Sequence, residues 1–363
     1  MVTQPLQTRL KLLFTNNSIN VTDDLMPDLL DFSYDDKETN EADEVSITLK
    51  DETGKWANTW KPDGGEVVRA YIMPGTVGGA RGQLYCGKFY VDTLGVSGSP
   101  RIFTMRAVSI PLNKPIRKKL KSKAWEKKTL KGIAEEIAKE AGVSLIFDSE
   151  ENPSFDRQDQ NRESDLKFLS RLCEEAGLSL KLTDDTIVIF DQSSYEKKAP
   201  IKTLELGVSD ILSWDFEQAQ SDTYKSCTVT YRDPKKKVKG SAASYNMDLQ
   251  KVKTTKKNAA VLSYTYVDPA ADENGQEYEL KKRAKSLDDA KRLAKATLRG
   301  LNMRRVTGNM SVVGDISLVA GVVVECRGFG SFDGNFIIEQ ATHTVNTGGY
   351  VTNVALRRVN NAY

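Results

Sequence analysis

The sequence predicts a mainly β protein of the α+β class, with two β-barrel-like domains separated by a small helix-strand domain. Three observations predict it. Residues 1–112 and the chain beyond 200 alternate apolar and polar residues at the two-residue period of half-buried strands. Between them, two segments switch to the period of an amphipathic helix, and each ends on a glycine. At 363 residues the chain exceeds the size at which one core stops growing, so it divides into two or three domains. The boundaries follow these changes of period. Residues 1–112 form an N-terminal β-barrel-like domain and 113–199 an α/β insert. Residues 200–363 form a second β-barrel-like domain carrying a surface excursion at 235–285 and one helix at 286–305.

In the first domain, strands are predicted at Leu10 to Phe14, at Phe32 and Tyr34 on one face, and at Val45, Ile47 and Leu49 alternating with Ser46 and Thr48. Val67 to Ile72 follows the turn Pro62, Asp63, Gly64, Gly65. Gly87, Phe89 and Val91, then Phe103, Met105 and Ala107, complete the set, joined by the tract Gly95 to Pro100. Short strands at this spacing favour a barrel or sandwich, since closure removes edges that would otherwise aggregate.

A basic run, Lys114 to Lys128, sets eight cationic residues against Glu126. It reads either as a solvated linker or as a site for an acidic partner or nucleic acid, and Trp125 supplies an anchor within it. Thr129 to Ala141 then puts Leu130, Ile133, Ala134, Ile137, Ala138 and Ala141 on one helical face, and Gly142 stops it before the alternation Val143, Leu145, Phe147. The same unit follows. Ser164 caps a helix with Leu166, Leu169, Leu172, Cys173 and Ala176 on one face, Gly177 ends it in the left-handed conformation, and Leu178, Leu180 and Leu182 alternate into a hairpin that returns through Ile187 to Phe190. KEAGVSL at 139–145 echoes EEAGLSL at 174–180, and two copies are too few for a solenoid.

From Pro200 strands return at Ile201 to Leu206, Ile211 to Phe216 and Ser226 to Tyr231, the last stopped by Asp233 and Pro234. The excursion at 235–285 has a basic and an acidic half, with a hairpin around Val261 to Val267. Ser286 caps a helix carrying Ala290, Leu293, Ala294, Leu298 and Leu301 on one face, closed by Arg304 and Arg305 at the negative end of its dipole. Strands at Asn309 to Val313, Leu318 to Cys326, Phe336 to Val345 and Tyr350 to Val359 finish the chain.

Composition bounds the function. An apolar share of 39%, with 25 glycines beside it, is that of a globular protein. Fifty-two Lys and Arg nearly cancel 50 Asp and Glu, giving a formal charge of +2, so no global field draws the chain to nucleic acid or anionic membranes. The N-terminus lacks an apolar signal core, and the longest apolar stretch, Leu318 to Val324, is too short to span a bilayer. The expectation is a chain without a membrane anchor, made and folded in a cytoplasm.

Chemistry is sparse. The only histidine, His343, sits in a strand pattern, sharing a face with Ile337, Glu339 and Ala341. Cys86, Cys173, Cys227 and Cys326 stand singly, without metal-ligand spacing, and read as small buried hydrophobes. Glu135 with Glu136 and Glu174 with Glu175 fall on solvated helix faces, and Gly328, Gly330 and Gly334 lead into a strand, so they offer no helix N-terminus to a phosphate. No catalytic, cofactor-binding or metal residue is assigned, and no cofactor is expected.

Three segments, EADEVSITLKDETGKWANTWKPDGGEVVRAYI at 41–72, SDLKFLSRLCEEAGLSLKLTDDTIVIFD at 164–191 and GDISLVAGVVVECRGFGSFDGNFIIEQATHTVNTGGYVTNVALRRV at 314–359, resemble in their order and spacing the hub proteins of contractile phage-tail baseplates, the late-control D family, and their relatives in phage-tail-like bacteriocins. The resemblance spans most of the chain except 235–285. It implies a structural protein, not an enzyme. It further implies a homotrimer in which each chain contributes two similar barrels, meeting a sixfold tail tube protein on one side, a threefold central spike protein on the other, and other baseplate proteins around it. Its final location would be the tail baseplate of a virion or tail-like particle. No lysozyme-like domain, as a fused spike would require, is read in this chain. The competing readings are a tail-associated peptidoglycan hydrolase acting through carboxylates, a LysM-like glycan-binding module built on the helix-strand units, and a nucleic-acid binder using Lys114 to Lys128; specific nucleic-acid binding is not expected.

Overall fold

The computed structural model describes residues 8–14, 19–39, 42–75, 82–109, 115–219, 223–232, 250–253, 261–269 and 275–360. The fold class is as the sequence predicts, mostly strand with few helices. The N-terminal region holds β1 (Arg9–Phe14), β2 (Ile19–Asn20), the short helix α1 (Thr22–Leu25), β3 (Leu29–Lys37), β4 (Glu44–Lys50), β5 (Val67–Met73), β6 (Leu84–Ser97) and β7 (Ile102–Val108). Its inward residues alternate as the two-residue period requires, so that Phe32, Ile47, Ile72, Phe89 and Phe103 meet in one core. The tract expected from Gly95 to Pro100 is shorter in fact, because β6 runs on to Ser97.

The insert comprises α2 (Pro115–Lys118), β8 (Lys121–Thr129), α3 (Leu130–Ala141), β9 (Ser144–Asp148), β10 (Ser154–Glu163), α4 (Asp165–Ala176), β11 (Ser179–Thr183), β12 (Thr186–Phe190) and α5 (Gln192–Glu196). Both long helices are bounded as their sequences dictate. The Thr129 and Ser164 hydroxyls accept from the backbone N–H three residues on, at 3.1 and 3.3 Å. Gly142 and Gly177 adopt φ of 63° and 75° and close each last turn, with Val143 N–H donating to Ala138 O and Leu178 N–H to Cys173 O. The basic run is not a linker. Its second half is β8, paired antiparallel with β10, and Trp125 from it stacks on Phe168 in the insert core with centroids 5.9 Å apart. Sequence reasoning missed this hairpin because most of its residues are polar or charged and few side chains, chiefly Trp125, Phe155 and Gln160, turn inward.

The C-terminal region follows with β13 (Lys202–Glu205), β14 (Ile211–Gln218), β15 (Tyr224–Arg232), β16 (Gln250–Lys253), β17 (Val261–Val267), β18 (Gln276–Ala284), α6 (Leu287–Asn302), β19 (Val306–Val313), β20 (Val323–Arg327), β21 (Gly334–Asn346) and β22 (Gly349–Arg358). Here the surface excursion needs correcting. Its described parts are ordered strands, and with β15 they make a separate four-stranded sheet, β16-β17-β15-β18, packed against α6. Val229, Tyr231 and Leu262 bury against Ala290, Leu293, Ala294 and Leu298, an apolar face that intervening lysines obscure in the sequence. Asp233, Pro234 and the remainder of the excursion lie outside the described residues. α6 ends at Asn302, short of the expected Arg305. The Asn302 side chain accepts from Tyr224 N–H (2.9 Å) and donates to Tyr224 O (2.7 Å), tying the helix end to β15. The strand expected from Leu318 begins only at Val323; Asp315 caps the preceding turn by accepting from Ser317 N–H at 2.9 Å.

In the insert β11, β12 and β9 form a three-stranded sheet, and the strands of the N- and C-terminal regions outside the four-stranded sheet form one long sheet. In it β21 pairs antiparallel with β3, from Gln340 opposite Lys37 to Asn346 opposite Asp31, which fuses the N- and C-terminal β regions edge to edge. Each side of that junction has the same plan. The neighbour order β3-β4-β7-β6-β5-β1 repeats as β14-β19-β22-β21-β20-β13, and the first four ladders of each are antiparallel; only the last differs, antiparallel for β5-β1 and parallel for β20-β13. Irregularities coincide too. The register breaks between Leu29 and Asp31 in one copy and between Ile211 and Ser213 in the other, then between Val91 and Thr93 and between Ile338 and Gln340. The backbone pairs Gly65 N–H to Val91 O and Val91 N–H to Glu66 O recur as Gly321 to Ile338 and Ile338 to Val322. Ladder position therefore makes Phe32 equivalent to Trp214, Tyr34 to Phe216, Ile47 to Met310, Met105 to Val354, and Val96 to His343. The chain is a structural duplication around an insert.

Candidate functional site

His343 is fully buried at the junction of the two copies, where it pairs across strands with Tyr34 and stacks on its ring at 5.8 Å. Its Nδ1 lies 2.8 Å from the Tyr350 hydroxyl. Burial pushes its pKa down to about 4, against a smaller opposing pull from Asp36, so the imidazole is a neutral packing group at neutral pH. The register break after Ile338 places His343 in line with Ala341 and Val345 on the buried face, and Glu339 leaves that face to meet Arg357 at 3.0 Å. The four cysteines are free and buried, and burial raises each thiol, Cys173 and Cys326 to about 12 and Cys227 to about 11. Among the described residues no group of three or more His, Cys, Asp or Glu is placed to hold a metal, and no helix is long and apolar enough to cross a membrane.

The helix carboxylates are engaged in holding the insert together. Glu136 accepts from Lys123 (2.6 Å) and Lys128 (2.9 Å), and Lys121 bridges Asp165 (2.6 Å) and Glu140 (2.7 Å). The basic run thus spends much of its charge internally. Glu135 and Glu174 are exposed, while Glu175 pairs with Arg171 and Lys282. Gly328, Gly330 and Gly334 all have positive φ and build the turns before β21. A cavity of about 900 Å³ between the insert and α6 is a cleft in which Lys282 pairs with Glu175, Arg292 with Asp289 and Arg299 with Glu196.

Charged groups also seat the insert on the long sheet. Lys181 reaches Asp36 at 2.6 Å and Asp43 at 3.7 Å, and Lys88 reaches Asp185 at 2.6 Å. Gln192 donates to Glu38 at 2.8 Å, and Glu196 takes both Arg357 (2.8 Å) and Arg299 (2.9 Å), so α5, α6 and β22 meet at one carboxylate. Burial lifts Glu38 to about 7 and Asp43 to about 6, with Arg357 and Lys181 respectively pulling the other way.

What the described surface offers beyond these contacts is edge. β14 ends the sheet order, pairing among the described residues only with β19; Ile211 and Phe216 pack against the C-terminal core, while Leu212 is 57% and Trp214 45% exposed, beside Val208 and Val313. β6 supplies a second edge. Its first half pairs with β5 and its second half with β7, leaving Asp92 to Ser97 without a ladder partner on the far side among the described residues, with Val96 55% exposed. Unpaired strand edges flanked by exposed apolar side chains are sites of β addition, not of small-molecule chemistry. The opposite face of the sheet is polar and small, with Ser33, Ser46, Thr104, Asn309, Ser311 and Asn353 along it. Sequence reasoning gave no signal for the edges, because edge status depends on which strands pair.

Comparison with known proteins agrees with an assembly role. The sequence model of the phage tail baseplate hub (GPD) family matches residues 111–349. A probable baseplate hub protein of Escherichia phage 186 is 26% identical over 229 residues, 61% of this chain and 57% of that protein. Its counterpart in Escherichia phage P2 is 29% identical over 230 residues, 60% of this chain and 56% of the other. The matched stretch thus spans little more than half the length of either relative. Among solved structures, the 43 kDa tail protein of prophage MuSo2 from Shewanella oneidensis shares the fold, with a TM-score of 0.69 at 12% identity over 97% of this chain and 98% of that one.

Proposed function

The chain belongs to the phage tail baseplate hub family, and we propose that it serves as a homotrimeric hub seating the sixfold tail tube on one side and the threefold central spike on the other. The duplicated six-strand module carries this reading. Three chains of two modules each present six equivalent units around an axis while keeping true threefold symmetry, which is what an adaptor between a sixfold and a threefold partner requires. On this reading the functional divisions are 1–112, 113–199 and 200–363, with the barrel-like regions building the ring and the insert placed at its periphery to meet other baseplate proteins. The role is mechanical, and the particle is a contractile phage tail or a tail-like bacteriocin, assembled in the bacterial cytoplasm.

Light scattering after size exclusion, across a range of concentrations, tests the trimer. Three chains of 40.4 kDa give about 120 kDa. Co-purification with candidate tube and spike proteins tests the adaptor role. A persistent monomer that captures neither partner would overturn both.

A further inference from the structure

We propose that Lys181 and Asp36 close an isopeptide bond, an amide between their side chains that fastens the insert covalently to the long sheet, with Asp43 carrying the protons. The bond lies within one chain, so a monomer forms it as readily as a trimer.

The sequence puts a carboxylate where β3 otherwise sets core residues. Phe32, Tyr34 and Asp36 alternate along its buried face, and Asp36 is 5% exposed. Lys181 reaches it from the outward face of β11, between the core residues Leu180 and Leu182. The backbone is pinned beside it, since Leu182 forms a parallel bridge with Ala42 and its carbonyl accepts from the Ser109 hydroxyl at 3.3 Å. Two groups 145 residues apart in the chain are thus held face to face.

Each group stands where amide formation needs it. Lys181 Nζ, the nucleophile, lies 2.6 Å from Asp36 Oδ1. Asp36 Oδ2 accepts from Ala320 N–H at 2.8 Å, a backbone donor aimed at the oxygen on which charge builds when nitrogen adds to Cγ. Asp43, 1% exposed, sets Oδ1 3.7 Å from the same Nζ and is itself fixed by Lys37 N–H at 3.0 Å. Burial pulls the Lys181 pKa down and the combined pull of Asp36 and Asp43 outweighs it, so the resting form is the ammonium. It must shed a proton before it attacks. Burial lifts Asp43 to about 6, against the opposing pull of Lys181, which fits this carboxylate to take that proton.

The step is a single dehydration. Lys181 passes a proton to Asp43 and its freed lone pair attacks Asp36 Cγ; the Cγ–Oδ1 bond then breaks, and Oδ1 leaves as water with the two protons the nitrogen has lost. Asp43 relays both and ends as it began. No other reactant enters. Fixed partners of this kind reach effective molarities of about 10⁵–10⁸ M, and a neutral amide in place of a buried ion pair removes two charges from a site poor in water.

Intact-mass spectrometry of the purified chain, followed over several days at neutral pH, reads the outcome. The expected product is one water, about 18 Da, lighter than the sequence mass, and its tryptic digest holds a branched peptide joining residues 36 and 181. Lys181→Arg keeps the charge but should stay at full mass. Asp43→Asn keeps both reactants and should slow the loss of water at least tenfold, with its melting followed beside that of the native chain. A native chain that holds its full mass would overturn the proposal, and so would water loss without the branched peptide, which marks dehydration elsewhere. An undiminished rate in folded Asp43→Asn would overturn the proton relay. None of these results bears on the hub reading.

Discussion

Gly142 and Gly177 end two helices in the same way but face different surroundings, and that contrast yields a matched experiment. Each is left-handed, at φ 63° and 75°, where an L-residue costs about 1–2 kcal/mol and a β-branched one lies at the upper end. A Cβ at Gly142 would meet nothing within 4 Å, whereas at Gly177 it would lie 3.2 Å from Ala296 Cβ on α6. Gly142→Val should therefore cost about 1–2 kcal/mol, all of it backbone. Gly177→Val adds overpacking of about 1–3 kcal/mol against α6, for a total of about 2–5 kcal/mol. A chain with several cores need not unfold in one step, so the readout is local: hydrogen exchange at Ile137 in α3 and Leu172 in α4. Gly177→Ala against Gly142→Ala isolates the Cβ contact, since neither carries γ carbons. Equal losses at the two sites would refute the α6 contact, and unchanged exchange in both valine variants would refute the left-handed cap itself.

Other predictions follow from the buried charges. His343, as the only histidine, gives a single imidazole Hε1 resonance, which should show no titration until the pH falls toward about 4; a midpoint near 6.5 would contradict its burial. Because the unfolded imidazole charges first, His343 removes stability as pH falls from about 6.5 to 4. Glu38 acts in a higher window. Its folded pKa of about 7 exceeds the ordinary 4.5, so the folded chain holds the extra proton between those values and this group's contribution to stability falls as pH rises through them; Glu38→Gln should flatten the decline in a denaturant series at pH 5, 6, 7 and 8. Glu196→Ala leaves fully buried Arg357 with Glu339 alone and strips Arg299 of its nearer carboxylate, and should cost about 3–5 kcal/mol by urea unfolding, whereas a loss below about 1 kcal/mol would show the charges to be solvated.

Much of the local structure was legible because local signals and the fold agree. Thr129, Ser164 and Ser286 cap the helices that the apolar period announces, and Gly142 and Gly177 stop two of them. The strands of the N-terminal core and those around His343 show plain alternation, since one face of each meets a core. Legibility failed where burial is thin or supplied from afar. β8 and β10 are polar strands joined to the core by a few side chains, and β17 and β18 become amphipathic only against α6. No catalytic constellation was read from the sequence, and the functional candidate is an edge, a property of what a strand lacks beside it.

The duplication escaped sequence reasoning for a related reason. The repeat visible in the letters, KEAGVSL and EEAGLSL, marks two helix ends inside the insert, whereas the repeat that organises the molecule pairs Tyr34 with Phe216, Phe32 with Trp214 and His343 with Val96. What the two modules preserve is ladder order and the places where the ladder breaks, and a β ladder is made by backbone groups that every sequence supplies. Side chains were free to diverge according to what each edge must do. At the internal junction the chain itself holds the strands at high effective concentration, so a neutral histidine can stack there on Tyr34 with its Nδ1 bonded to the Tyr350 hydroxyl. At the open edges Val96, 55% exposed, stands at the histidine's position and half-buried Phe216 at the tyrosine's. The chemical difference between equivalent positions thus follows which ladder edge is covered within the chain and which stands open among the described residues.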